Sequence, residues 1–162
     1  MKFPILGITL LLWVALLIGV KSLAASTGTV TATVTVSQLS VAVSDGSVTY
    51  GTLSSSATNS TGALSDTQKG TNDGNVTEVF NIRGTTSSPS LWTLAASVGD
   101  EQYRHSFSTT SGTWTALTTS YLNLYSGVAV AATKAFNLEI QVPSSTVATA
   151  SNNVNVTVQA SQ

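Results

Sequence analysis

After residue 28 the sequence alternates apolar and polar residues with a period of two, and this alternation restricts the fold more than any other feature. Val30, Ala32, Val34 and Val36 are separated by threonines. Successive side chains of a β-strand point to opposite faces, so the pattern predicts a strand with one apolar face and one hydroxyl face. No stretch after residue 25 combines a helical period with helix caps. The sequence therefore predicts an all-β fold.

Similar short alternating segments recur to the end of the chain, separated by turn residues. Asp45 with Gly46 and Asp73 with Gly74 are the clearest turns, and each predicts a β-hairpin. Because each strand has one apolar face, we expect an antiparallel β-sandwich of immunoglobulin-like architecture over residues 29–161. The residues expected in its core are Val34, Tyr50, Phe80, Ile82, Trp92, Leu94, Phe136, Leu138, Ile140, Val156 and Val158.

An apolar leader precedes this region and predicts export. Lys2 is followed by the apolar residues 3–20 and then by the small residues around position 24, which is the pattern of a secretory signal peptide. We expect residues 1–25 to form a signal helix and residues 26–162 to form the secreted β-sandwich domain. An uncleaved N-terminal anchor is the alternative, because the apolar run is at the lower edge of the roughly 17–25 residues that span a bilayer.

The composition excludes several classes of partner. Without residues 1–25 the chain keeps four Lys and Arg and seven Asp and Glu, which gives a net charge of 4 − 7 = −3. The absence of a basic patch argues against nucleic acid and, after cleavage of the leader, against a membrane partner. The chain has no cysteine, so no disulfide framework can replace a core. The 162 − 25 = 137 remaining residues are enough for one domain with its own core.

Residues that could carry out chemistry are few and scattered. The chain has one histidine, His105, and seven scattered acids, and turn chemistry explains those in predicted turns, such as Asp100 and Glu101. Catalytic and metal sites need several converging groups. We therefore predict no enzymatic activity, no catalytic residues, no cofactor and no metal site.

Three aromatic residues form the candidate binding surface. Trp114, Tyr121 and Tyr125 lie close together in the sequence and could stack on sugar rings. Aromatic side chains of a domain this small usually fill the core, which is the alternative. These three residues are the candidate glycan contacts.

One short motif resembles a known family. Residues 92–97, WTLAAS, resemble the Trp-x-Leu motif of the WxL-domain surface proteins of Gram-positive bacteria, although the last strands contain no second such motif. Those proteins associate with the cell wall, so the resemblance implies a secreted, non-enzymatic surface protein whose partner is wall polysaccharide. The order of leader and β-sandwich is also similar to that of TasA/camelysin biofilm fibre subunits, which implies self-association.

The strand predicted at residues 29–36 follows the leader directly and leaves two alternatives open. An exposed strand with one apolar face has to find a sheet edge. It can pair within its own domain, or it can complete the sheet of a neighbouring copy by β-augmentation. The second mode, repeated head to tail, gives filaments.

Overall fold

The protein is seen in a computed structural model that describes residues 27–87, 92–110, 112–148 and 150–162. These residues form an all-β structure without helix, and the predicted fold class is confirmed at that level. The predicted signal helix, residues 1–25, lies outside the described residues. The chain divides into two units, residues 1–35 and 36–162, and all the described strands belong to the second. These strands are β1 (Val41–Ser44), β2 (Thr58–Ser60), β3 (Gln68–Asn72), β4 (Glu78–Gly84), β5 (Thr93–Leu94), β6 (Gln102–Ser108), β7 (Thr115–Ala116), β8 (Leu122–Val128), β9 (Thr133–Gln141) and β10 (Val156–Ser161).

The strands form two sheets in a sandwich-like arrangement. The larger sheet has the order β1-β3-β9-β6-β5, with β2 also paired to β9 and β7 to β6. The smaller sheet has the order β10-β4-β8. The pairs are antiparallel except for β5 and β6, which run parallel. The larger sheet is therefore mixed, whereas the smaller sheet is purely antiparallel.

The core lies between the two sheets and follows the period of two seen in the sequence. Alternate residues of β4 are buried from Glu78 to Gly84, and β9 buries one face in the same way. This alternation is what a strand with one covered face requires. The buried apolar cluster consists of Phe80, Ile82, Phe107, Leu117, Leu124, Val128, Phe136 and Leu138.

The predicted core is confirmed in its centre and wrong at its N-terminal end. Phe80, Ile82, Phe136, Leu138 and Ile140 are buried as expected. Val34 is 89% exposed, because residues 27–40 form no strand. The other expected core residues, Tyr50, Trp92, Leu94, Val156 and Val158, are only partly buried.

The two predicted hairpins are also corrected. Asp45 and Gly46 do turn the chain, with φ values of 70° and 69°, but no strand follows them, and β1 pairs with β3 instead. Gly51 has a φ of 76°, which interrupts an extended conformation. Asp73 and Gly74 join β3 to β4, but these strands belong to different sheets. The second turn is therefore a corner between the sheets and not a hairpin.

Candidate functional site, an uncharged groove

A groove of about 710 Å³ opens beside the end of β9. Residues 48–53 form one wall, and residues 150–154 line it as well. Ile140 and Val142 contribute buried apolar side chains to the lining. None of the lining residues carries a charge. The site therefore combines apolar side chains with neutral hydroxyl and amide groups.

The wall formed by residues 48–53 has no backbone-to-backbone pairing among the described residues. Within the described residues, positions 46–53 make no hydrogen bond from backbone to backbone. The carbonyl of Tyr50 accepts a hydrogen bond from the side-chain amide of Asn59, at 3.0 Å. Val48 and Tyr50 are half-buried, whereas Thr49 between them is exposed. Unpaired N–H and C=O groups along an extended stretch can pair with an added strand.

A row of aromatic rings connects this wall to the interior. The hydroxyl of Tyr50 lies 3.0 Å from Nε2 of the buried His105, and the two rings meet edge to face. The ring centroid of His105 is 6.4 Å from that of Tyr103, which in turn is 6.2 Å from that of Trp92. The indole Nε1 of Trp92 donates a hydrogen bond to Thr146 Oγ1 at 2.9 Å. These contacts hold both sides of the groove against β6.

Burial keeps the titratable groups of this row neutral near pH 7. Desolvation lowers the pKa of His105 to about 4 and raises the pKa of Tyr103 to about 12. The pKa of Tyr50 is raised further, by desolvation first and then by the negative charges of Asp66 and Glu139. Acid–base catalysis near neutrality needs a pKa close to the working pH. The Tyr50–His105 pair is therefore suited to holding the wall in place and not to transferring protons.

Two acidic residues position the loop opposite residues 48–53. Ser145 Oγ donates a hydrogen bond to Asp100 Oδ1 at 2.6 Å, and Thr146 Oγ1 donates one to Glu101 Oε2 at 2.8 Å. The backbone N–H of Val147 also donates to Glu101. These acids were predicted to lie in a turn, and their role in positioning a distant loop was not predicted. Their partners are more than forty positions away, and no local pattern could have revealed them.

The start of the second unit is held by the corner between β3 and β4. The amide of Asn75 donates to the carbonyl of Val36 at 2.8 Å and accepts from the N–H of Gln38 at 2.7 Å. The buried carboxylate of Glu78 accepts from the N–H of Ser40 at 2.7 Å. Residues 36–40 are therefore fixed in place before β1 begins.

The predicted glycan contacts lie elsewhere, near β7 and β8. Trp114 is half-buried, and the guanidinium of Arg83 lies 4.7 Å from the ring centroid of the exposed Tyr121. The hydroxyl of Tyr125 donates to the carbonyl of Ala135 at 2.6 Å, and Lys134 Nζ lies 5.7 Å from its ring centroid. No ring pairing joins these three residues in the described part of the chain. Glycan binding by these residues stays a prediction.

The function is indicated neither by a metal-binding cluster in the described residues nor by similarity to a known protein. The described residues contain no group of three His, Cys, Asp or Glu side chains placed to hold a metal ion. Their structure also includes no helix with the length and apolarity needed to cross a membrane. Comparison with known proteins finds no matching protein family, curated protein or solved structure. Function has to be inferred from the groove and from the exposed residues of this chain.

Proposed function

We propose that this chain is an exported, non-enzymatic structural protein of the cell surface that associates with copies of itself through residues 29–36. In this proposal, residues 1–25 are a signal helix that is removed, and the secreted part is an immunoglobulin-like sandwich. The chemistry of the exposed N-terminal residues is the observation that carries the proposal.

The segment 29–36 keeps an apolar face in solvent. Val30 is 92% exposed, Val34 is 89% exposed and Val36 is 78% exposed. The segment has no charge and alternates these residues with threonines. Burial of one valine side chain is worth about 1.5–3 kcal/mol, so covering this face would supply a substantial driving force for association. No like charges along the segment would oppose it.

The electrostatics of the groove support a structural role over catalysis. Its lining contains no ionisable acid or base apart from the phenol of Tyr50, whose pKa is raised by burial. His105 stays neutral behind that phenol. Both groups remain uncharged near pH 7, and neither has a pKa close to that pH, which efficient acid–base catalysis would require.

The test is to purify the protein after export by its own leader and to follow its size over a range of concentrations. We expect sedimentation to show oligomers that grow with concentration, and electron microscopy to show filaments. The double variant Val30→Lys/Val34→Lys should stay monomeric, because it places charge on the apolar face. Thr31→Lys/Thr33→Lys adds the same charge to the opposite face and should still assemble. A wild-type protein that stays monomeric at high concentration would contradict the proposal.

Association with wall polysaccharide, which the Trp-x-Leu resemblance implies, is tested with the same preparations. We expect wall material to retain only self-associated protein. The variant Val30→Lys/Val34→Lys, which should stay monomeric, should therefore not be retained. Retention that persists in this variant but is lost in Trp114→Ala or Tyr121→Ala would favour a polysaccharide-binding module. Fractionation of the native cell envelope would show whether the protein is at the surface.

A further inference from the structure

We infer that the groove walled by residues 48–53 is the acceptor for residues 29–36 of a second copy. The inference rests on the proposed self-association and specifies the surface that takes the strand. Three properties of the groove match the segment: a wall without backbone-to-backbone pairing among the described residues, apolar side chains within its lining, and its lack of charge.

The backbone of the groove wall offers the hydrogen bonds that a donor strand needs. Positions 46–53 make no backbone-to-backbone hydrogen bond among the described residues, although they follow the turn at Asp45 and Gly46. Main-chain hydrogen bonds supply affinity when a strand is added to a sheet edge. The larger sheet has its outer strands at β1, with four residues, and β5, with two, so both offer a shorter run of backbone than positions 46–53.

The side chains of the groove match the alternation of the segment. Ile140 and Val142 lie in the lining, together with the half-buried Val48 and Tyr50. A strand laid along residues 48–50 would direct one face toward these side chains and the other toward solvent. In residues 29–36, the first face would carry valines and alanine, and the second would carry threonines.

The charge distribution restricts the position of the acceptor. Neither the groove lining nor residues 29–36 contain a charged side chain. The smaller sheet has β8 and β10 as its edge strands. Beside β8, cations lie over two tyrosine rings: Lys134 over Tyr125 within the strand, and Arg83 over Tyr121 just before it. The pairing of β8 with β4 is also irregular, with register shifts near Phe80. An uncharged donor therefore fits the groove better than it fits the edge at β8.

Crosslinking between two single-cysteine variants tests the assignment, because the natural chain contains no cysteine. One full-length exported variant carries Thr33→Cys, on the hydroxyl face of the segment, and a size tag. The second carries Thr52→Cys at the groove. Mixed at concentrations where the wild type associates, and treated with a short bismaleimide, they should give a heterodimer. A matched acceptor with Thr119→Cys, exposed but outside the groove, should give several-fold less of it.

The outcomes separate this assignment from the proposed function. Chains that associate but crosslink equally at Thr119 and Thr52 would overturn the groove assignment and leave self-association standing. A Thr33→Cys/Thr52→Cys double variant that crosslinks within one chain at high dilution, with no heterodimer in the mixture, would show that the segment fills its own groove. Excess peptide of residues 28–37 should block heterodimer formation. A groove that binds soluble wall polysaccharide and yields no crosslink to Thr33 would also overturn the assignment.

Discussion

Two stretches with similar sequence patterns have different strand pairing in this protein, residues 78–84 and residues 48–53. Both contain a short run in which apolar and polar residues alternate, at positions 80–83 and at positions 48–50. The first is β4, a central strand paired on both sides, with alternate residues buried. The second has no strand partner in the described chain and forms the wall of an open groove. Alternation predicts an extended conformation with two unlike faces, but it does not specify which edge the stretch will meet.

The same difference distinguishes two parts of the sandwich. The closed part is the region around β4, and the open part is the region around residues 48–53. In the closed part, Phe80 and Ile82 are fully buried and pack on residues from several strands. In the open part, Tyr50 and Val48 are half-covered, and His105 beneath Tyr50 connects the two parts. If the groove accepts a strand from another copy, the open part is completed only in the assembly. Substitutions in the two parts should therefore differ in their effect on the isolated chain.

Truncation in the closed part should have the largest effect. Phe80→Ala leaves a cavity beside both sheets and should lower the free energy of unfolding by about 3–5 kcal/mol. The matched change in the open part, Val48→Ala, should cost less than about 1 kcal/mol in the monomer, because that residue is half-exposed. Urea unfolding of both variants below the concentration of assembly measures the difference. Equal losses would show that residues 48–53 are as closely packed as β4.

Acid should weaken the connection between the two parts. Folded His105 has a pKa of about 4, against an ordinary value near 6.5, so between these values the unfolded chain binds a proton that the folded chain does not. Stability is therefore complete above pH 6.5 and falls as the pH drops toward 4, by up to about 3 kcal/mol from this residue. Unfolding titrations from pH 7.5 to 4 should show the slope. His105→Gln should make stability depend less on pH. An unchanged pH dependence would contradict the assignment of this effect to His105.

Substitution of Gly74, at the corner between the sheets, should lower stability less than truncation in the core does. It should lower stability more than substitution of a glycine that has open space around it. A Cβ at Gly74 would lie 2.3 Å from the carbonyl oxygen of Gln38 and from Glu78 Oε1, so residues 38–40 would have to move. Gly74→Ala should lower stability by about 1–3 kcal/mol. Gly62→Ala is the control, since its nearest neighbours would lie at 3.8 Å. Thermal unfolding compares the two, and similar melting temperatures would contradict the close packing of this corner.

The smallest effect is expected at Gly51, in the open stretch. A Cβ there meets nothing within 4 Å, so only the positive φ of 76° opposes a side chain. Gly51→Ala should cost about 1 kcal/mol, and Gly51→Asn less, because asparagine tolerates this conformation. Chemical unfolding of both variants resolves the difference. A larger loss in Gly51→Asn would mean that steric contact and not backbone strain governs this position.

Much of the fold and less of the site could be predicted from the sequence. The alternation around Phe80 and Phe136 predicted buried strands, because one covered face imposes a period of two. The groove was not predicted. Its wall, residues 48–53, follows the predicted turn at Asp45 and Gly46 but has no strand partner among the described residues. Tyr103 and His105 lie in β6, but their contacts with Trp92 and Tyr50 come from other parts of the chain, which the local pattern does not specify.

By itself, the sequence determined that the described chain is all-β, where most strands lie and which faces they bury. These properties are local, because a residue's neighbours two positions away define the face it shares. The tertiary structure decided that β3 and β4 enter different sheets, that β1 pairs with β3, and that residues 29–36 and 48–53 have no strand partner in the described residues. Such pairings depend on the competition of all strand edges for backbone partners, and short-range alternation carries no information about its outcome.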